Sequence, residues 1–182
     1  IFPTTEDSVL KQTSIYGASK LAGEAFIQAY SEYSDFKSSI FRFVSWIGPK
    51  YSHGVIYDFY RKLIIKPNEL EILGNGEQRK SFLDVSDGVR GILELTKHDK
   101  RSEIFNLGHT ETMNITQLAR IVCDYLELKN TTYKYTGTKR GWIGDSPLVH
   151  LDISKAKSFG WAPKVSIRDG IINTLKYLTD NK

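Results

Sequence analysis

An α/β fold is predicted for this chain by three observations. Short runs rich in β-branched and aromatic residues alternate with segments of helical apolar period, the order expected of strands crossed over by helices. Over 182 residues the chain is 40% hydrophobic and 25% charged, a balance that supports a buried core and argues against disorder. There is no internal repeat, low-complexity tract or flexible linker, so the length suggests one ordinary domain or two small lobes.

In chain order, Pro3, Thr4, Thr5, Glu6 and Asp7 break any period and predict an opening loop. Helical periodicity begins near Ser14 and runs to about Tyr33, with Leu21, Ala22, Ala25, Phe26 and Ala29 on its packing face. That face needs a cover: the local sheet, an N-terminal α/β half beyond this chain, or a second copy. Residues Ser39 to Val44 read as a strand closed by Gly48-Pro49, and Val55 to about Leu63 as a helix. Leu70 to Leu73 is a strand entering the turn Gly74-Asn75-Gly76. Phe82 to Val85 is another, and Ser86 or Asp87 opens a helix that continues to Leu95.

Ile104 to Leu107 predicts a strand ending at Gly108. Asn114 with Gln117 forms a capping-box pattern, with Leu118, Ile121, Val122 and Tyr125 next on one apolar side. An extended stretch at Thr132 to Tyr135 precedes a loop from Gly137 to Pro147. A short helix near Ser154 stops at Gly160, and Ser166 to Leu178 makes the last helix.

Composition excludes several function classes. Lys and Arg number 25 against 21 Asp and Glu, a net charge of +4. The basic residues are interleaved with acids rather than gathered into a stripe, so no nucleic-acid partner is expected. No apolar run approaches the roughly 18 residues of a membrane span, so no membrane partner is expected, and the first residues lack a signal peptide's order. The one cysteine, Cys123, sits in a helical apolar pattern as core filling. His98, His109 and His150 show no ligand-like spacing, and no metal site is expected.

Tyr16 and Lys20 are four residues apart, one turn apart on one helix face. A nearby ammonium favours tyrosinate over a phenol of reference pKa about 10, so Tyr16 could exchange a proton during a redox step. By spacing alone this signal is weak, and two unrelated helix residues are the ordinary reading. The longer string Tyr16-Gly17-Ala18-Ser19-Lys20-Leu21-Ala22-Gly23-Glu24 resembles the active-site helix of the extended short-chain dehydrogenases/reductases, the NAD-dependent sugar-nucleotide epimerase/dehydratase family. The lead-in Pro3 to Asp7 is similar too. So, in family order, are Arg42 to Pro49, Leu73 to Gly76, Val85 to Asp87, Phe105 to Gly108, Arg140 to Asp145, Asp152 to Lys155 and Gly160 to Pro163. The resemblance is nearest to the C-terminal portion of UDP-glucose 4-epimerase-like proteins.

That resemblance implies an incomplete NAD(P)-binding Rossmann-like fold with a small mixed α/β substrate-binding lobe. The two are interleaved through residues 1–182, and the N-terminal cofactor-binding half lies outside. The same likeness implies roles for individual residues. By it, Tyr16 transfers the proton, and Lys20 bonds the nicotinamide ribose and lowers the tyrosine pKa. By the same likeness Phe43 lies beside the nicotinamide, though a strand aromatic is more often plain core. Ser45 stands where the family often has Asn near the sugar, with a plain loop role as the alternative. His53 and Val55 enter a helix whose N-terminal amides suit a diphosphate; His53 by itself also reads as a loop histidine.

Lys80 falls at the family's phosphate-binding arginine, with Arg79 as its rival. Adjacent strand residues face opposite ways, so the two are not interchangeable. Arg140 would contact the diphosphate and Asp145 the ribose, against a local reading as a loop ion pair. Leu73 would pack on the uracil ring, or be ordinary core.

The sequence has no Gly-x-x-Gly-x-x-Gly turn for the cofactor pyrophosphate. The chain alone is therefore expected to be inactive. Its parent is expected to be a cytoplasmic NAD-dependent enzyme that epimerises a nucleotide sugar, UDP-glucose and UDP-galactose at C4 first. A homodimer of that parent is possible. The alternatives are a nucleotide-sugar dehydratase or reductase, and a noncatalytic nucleotide-sugar binding module.

Overall fold

A computed structural model describes residues 2–137, 146 and 148–181. Helix α1 spans Ile15–Tyr33, and its N-cap Ser14 accepts from the Gly17 amide at 3.0 Å. Strand β1, Ser38–Phe43, pairs in parallel with β6, Ser102–Leu107, from Ser38 opposite Ser102 to Phe43 opposite Leu107. Val44 interrupts the strand, and β2, Ser45–Ile47, continues it to pair in parallel with β5, Phe82–Asp84. The loop expected around Ser45 is therefore a strand.

Helix α2, Val55–Ile65, starts at Gly54, whose φ of +93° belongs to the left-handed region that glycine tolerates. Strand β3, Glu69–Ile72, pairs in parallel with β8, Thr132–Tyr135. The two-residue strand β4, Arg79–Lys80, lies between β7, Met113–Asn114, and β9, Leu148–Val149. Pairing is antiparallel on the β7 side and parallel on the β9 side, which gives this smaller lobe its mixed character.

Helix α3, Val85–Leu95, is capped by Asp84, which accepts from the Ser86 amide at 2.9 Å. Helix α4, Ile115–Tyr125, carries the capping box: Asn114 accepts from the Gln117 amide at 2.7 Å, and the Gln117 side chain accepts from the Asn114 amide at 3.0 Å. The chain closes with α5, Ser154–Ser158, and α6, Ile167–Asp180. Alternating helices and strands with parallel pairing make this an α/β fold of Rossmann-like type with a smaller mixed lobe.

Two apolar clusters hold it. One joins α2, α4 and α6 through Ile56, Leu63, Leu118, Val122, Ile171 and Leu175. The other gathers Val44, Leu83, Phe105, Leu107 and Trp161 around β1, β5 and β6. A methyl group on Gly91 would come within 2.8 Å of Trp161 Nε1, so only glycine lets α3 approach that ring. Asp87 closes the seam: its carboxylate accepts from the Lys164 amide at 2.7 Å, the Val165 amide at 2.8 Å and Arg90 at 2.6 Å. Cys123 is buried in the first cluster.

The apolar face expected to pack on α1 does not do so within this chain. Ala22, Ala25 and Ala29 are not buried, Phe26 is 68% exposed, and Ser31 is the buried residue of the helix. Apolar spacing identifies a side of the helix; the neighbouring strand β1 is too narrow a support to cover it.

Candidate functional site

Tyr16 is the second residue of α1, and the helical rise sets Lys20 one turn further along the same side. The Lys20 ammonium lies 5.3 Å from the centroid of the Tyr16 ring, and the tyrosine is 73% exposed. The pair thus converges and opens to solvent.

The helix is fastened beneath the pair by a bond set that sequence reasoning missed. Glu24 accepts from Arg42 of β1 at 3.0 Å (Nε) and 2.8 Å (Nη2), a fork-to-fork pairing. The remaining Arg42 nitrogen donates to the Glu6 carbonyl at 2.8 Å. The Glu6 side chain in turn accepts from the Asn106 amide at 2.8 Å, and Asn106 Nδ2 donates to the Thr4 carbonyl at 2.9 Å. The lead-in loop, α1, β1 and β6 are therefore one bonded unit. The usable signal was the presence of Glu6, Glu24, Arg42 and Asn106 within the quoted motifs.

Phe43 ends β1 at 43% exposure, its ring edge-on to Trp46 at 4.7 Å between centroids. Two residues later Ser45 enters a cavity of about 470 Å³, which Val55, Leu73 and Lys80 also line. Four of the residues singled out from sequence therefore meet around one space, drawn from β2, α2, the end of β3 and β4. Arg79 turns away, donating to the Thr112 side chain and carbonyl, each at 3.0 Å. The alternation of β4 thus separates the two cations and puts Lys80 on the cavity side, where its ammonium donates to the Ser146 carbonyl at 2.7 Å. His53 is exposed and stacks on Tyr51, 5.9 Å between ring centroids, without lining the cavity. Arg140 and Asp145 lie outside the described residues.

Tyr51, Asp58, Gln78 and Phe82 also line the cavity and were not among the sequence candidates. The Tyr51 hydroxyl lies against Gly54, where a side chain on that residue would collide with it. Burial pushes the Tyr51 phenol up to about 12, so it stays a neutral donor beside the α2 N-terminus. The signal that could have found it is an aromatic three residues before the glycine that opens the helix. Apolar walls with a few polar groups, one of them cationic, suit an anionic organic ligand of nucleotide size. A larger open depression of about 880 Å³ between α4 and β8 contains none of the sequence candidates. Among the described residues no cluster of His, Cys, Asp or Glu could hold a metal ion, and no helix is long and apolar enough to cross a membrane.

Fold and site together define an α/β protein of Rossmann-like type with a tyrosine–lysine helix and an anion-suited cavity. The family model described as "NAD dependent epimerase/dehydratase family" matches residues 1–108, and the chain belongs to that family. It is 30% identical over 181 residues to human dTDP-D-glucose 4,6-dehydratase, covering 97% of this chain and 51% of the relative. A crystal structure of UDP-galactose 4-epimerase superposes with a TM-score of 0.87 at 30% identity, covering 99% of this chain and 58% of the other. UDP-glucose 4-epimerase from Thermotoga maritima, solved with UDP-glucose, gives a TM-score of 0.85 at 27% identity, again over 99% and 58%. The chain spans about half the length of the curated relatives it matches.

These matches correct one expectation. The likeness to a C-terminal portion of an epimerase is overturned by the family model's placement on residues 1–108, which points to the Rossmann, NAD-binding epimerase domain. Motif order along a chain fixes which segments come after which; it does not locate a domain boundary.

Proposed function

We propose that these residues serve an NAD-dependent enzyme acting on a nucleotide sugar, with UDP-glucose and UDP-galactose interconversion at C4 as the first reaction to test. The observation that carries the reading is the convergence of the Lys20 ammonium on the exposed Tyr16 ring. Both groups are open to an incoming ribose and sugar, so the residues present fit the nicotinamide end of NAD. When bound there, NAD supplies the hydride acceptor and donor.

The chain's own residues supply the rest. The Tyr16 phenolate, stabilised by the Lys20 charge, takes the proton from the sugar hydroxyl, and the resulting phenol returns it. Phe43 offers a flat apolar surface at the end of β1. Lys80 neutralises the diphosphate, the Tyr51 hydroxyl and the N-terminal amides of α2 donate to it, and Ser45 offers a hydroxyl to the sugar. Leu73 flanks the base, and firm anchoring of the nucleotide lets the hexose turn without escaping. Arg140 and Asp145 keep their proposed contacts with diphosphate and ribose.

A dehydratase is the second reading, favoured by the 30% identity to human dTDP-D-glucose 4,6-dehydratase. Product analysis separates the two: an epimerase returns the C4 epimer, a dehydratase a 4-keto-6-deoxy sugar. In the natural protein that carries these residues, Tyr16→Phe should lower turnover by about 10²- to 10⁴-fold while leaving UDP binding unchanged. Full turnover in that variant would overturn the reading.

A further inference from the structure

Thr174 stands on α6, 126 residues from Gly48, yet its hydroxyl holds the turn from which one wall of the cavity is built. The side chain is fully buried. Its Oγ1 accepts from the Gly48 amide at 2.7 Å and donates to the Gly170 carbonyl, one turn back on its own helix, at 2.8 Å. The bond to Gly170 uses the hydroxyl proton, so the oxygen lone pairs are left for Gly48.

The turn needs such a hold. It joins β2, which ends at Ile47, to α2, which starts at Val55. Gly48 and Lys50 take positive φ, +133° and +65°, and for Lys50, which has a Cβ, that conformation is strained. The turn's own closure, from the Tyr51 amide to the Gly48 carbonyl, is long at 3.3 Å. Tyr51, Gly54 and Val55, which follow at once, all lie in the cavity wall. In a strained turn with a weak bond of its own, a buried hydroxyl on one amide biases which conformer is populated.

The structure assigns Thr174 as a positioning residue for the diphosphate of the ligand: it holds the turn at residues 48–51 so that the Tyr51 hydroxyl and the N-terminal amides of α2 meet that group together. The assignment rests on the proposed function, which gives those donors to the diphosphate. Thr174 itself is not in the cavity wall. It acts on the fraction of molecules whose turn is already in the binding conformer, and affinity falls in proportion to that fraction. Without the hydroxyl, the Gly48 N–H is buried with no acceptor, and the chain escapes that cost by moving the turn.

The test is calorimetric titration of UDP into the 182-residue chain and its variants, at a temperature where each is folded. Thr174→Val keeps the shape and loses the hydroxyl; it should weaken UDP binding about tenfold and speed amide hydrogen exchange in residues 48–54. Thr174→Ser keeps the oxygen and should bind UDP within about twofold of the parent. Leu95→Ala, which opens a void in the second apolar cluster, should lower the unfolding free energy and leave UDP affinity unchanged. One measurement needs no variant: in the unaltered chain the Gly48 amide should exchange as slowly as the amides of α6. Parent-like binding by Thr174→Val, no rescue by Thr174→Ser, an equal loss in Leu95→Ala, or fast exchange at Gly48 each overturns the role of Thr174 and leaves the nucleotide reading standing. Failure of UDP to bind the unaltered chain overturns both.

Discussion

Helices α1 and α4 have similar sequence credentials and opposite fates. Each starts on a side chain that accepts from a backbone amide of the first turn, and each has apolar residues at helical spacing. On α4, Ile115, Leu118, Ala119, Ile121, Val122 and Cys123 are buried against neighbours that include α2 and α6. On α1, Phe26, Tyr30 and Ile15 are exposed, and the helix is tied down by polar bonds through Glu24 and Arg42 instead. A cap fixes where a helix begins, and periodicity fixes which side is apolar; neither says whether the covering surface belongs to the same chain.

The largest expected effect lies on the α4 side. Leu118 is 0% exposed within the first cluster, so Leu118→Ala removes buried methyl groups and leaves a cavity. A loss of about 3 kcal/mol in unfolding free energy by urea titration is expected. A loss below about 1 kcal/mol would mean that α4 is as loosely held as α1.

The second effect sharpens the contrast through pH. Burial raises the Asp87 carboxyl, but the Val165 and Lys164 amides and Arg90 outweigh it and leave the pKa below the ordinary carboxylate value. A carboxyl with a folded-state pKa below its unfolded value of about 3.9 adds stability above that pH, lost as pH falls through the lower folded value. Asp87→Asn should therefore cost roughly 2 kcal/mol at neutral pH and flatten the acid limb of the stability curve. An unchanged acid limb would show that other carboxylates govern it. No such dependence is expected from substitutions on the outer side of α1.

The same contrast explains what is legible in the sequence. The segments that form β1, β3, β6 and β8 each contain a run of alternating or β-branched residues, and sequence places each within a residue or two. The two-residue strands β4, β7 and β9 escape sequence reading because a pair of residues has no period; long-range pairing alone defines them. In the site, the alternation of Arg79 and Lys80 is legible, but which of them faces the cavity depends on Thr112, a residue far along the chain. Tyr51 reads as loop because its burial comes from packing against Gly54 and the start of α2, a contact without local pattern.

The third effect isolates the cap. Asn114→Ala removes the acceptor for the Gln117 amide and breaks the reciprocal box, with an expected loss of about 1 kcal/mol in unfolding free energy by urea titration. Asn114→Ser, which keeps an acceptor, should recover most of it. Equal losses in both variants would assign the effect to β7 pairing instead, since Asn114 also sits opposite Arg79.

The smallest effect is the most telling for α1. Phe26 is 68% exposed, so Phe26→Ser transfers little apolar surface between folded and unfolded states. Its unfolding free energy should stay within about 0.5 kcal/mol of the parent's at low protein concentration. Serine does lower helix propensity, but only by a few tenths of a kcal/mol, too little to mask a buried aromatic. A loss of several kcal/mol would mean that Phe26 is covered in solution. Growth of that loss with protein concentration would identify the cover as a second copy, because only association couples stability to concentration. The pair Leu118→Ala and Phe26→Ser thus measures, on two helices of like pattern, how much of an apolar face this chain itself buries.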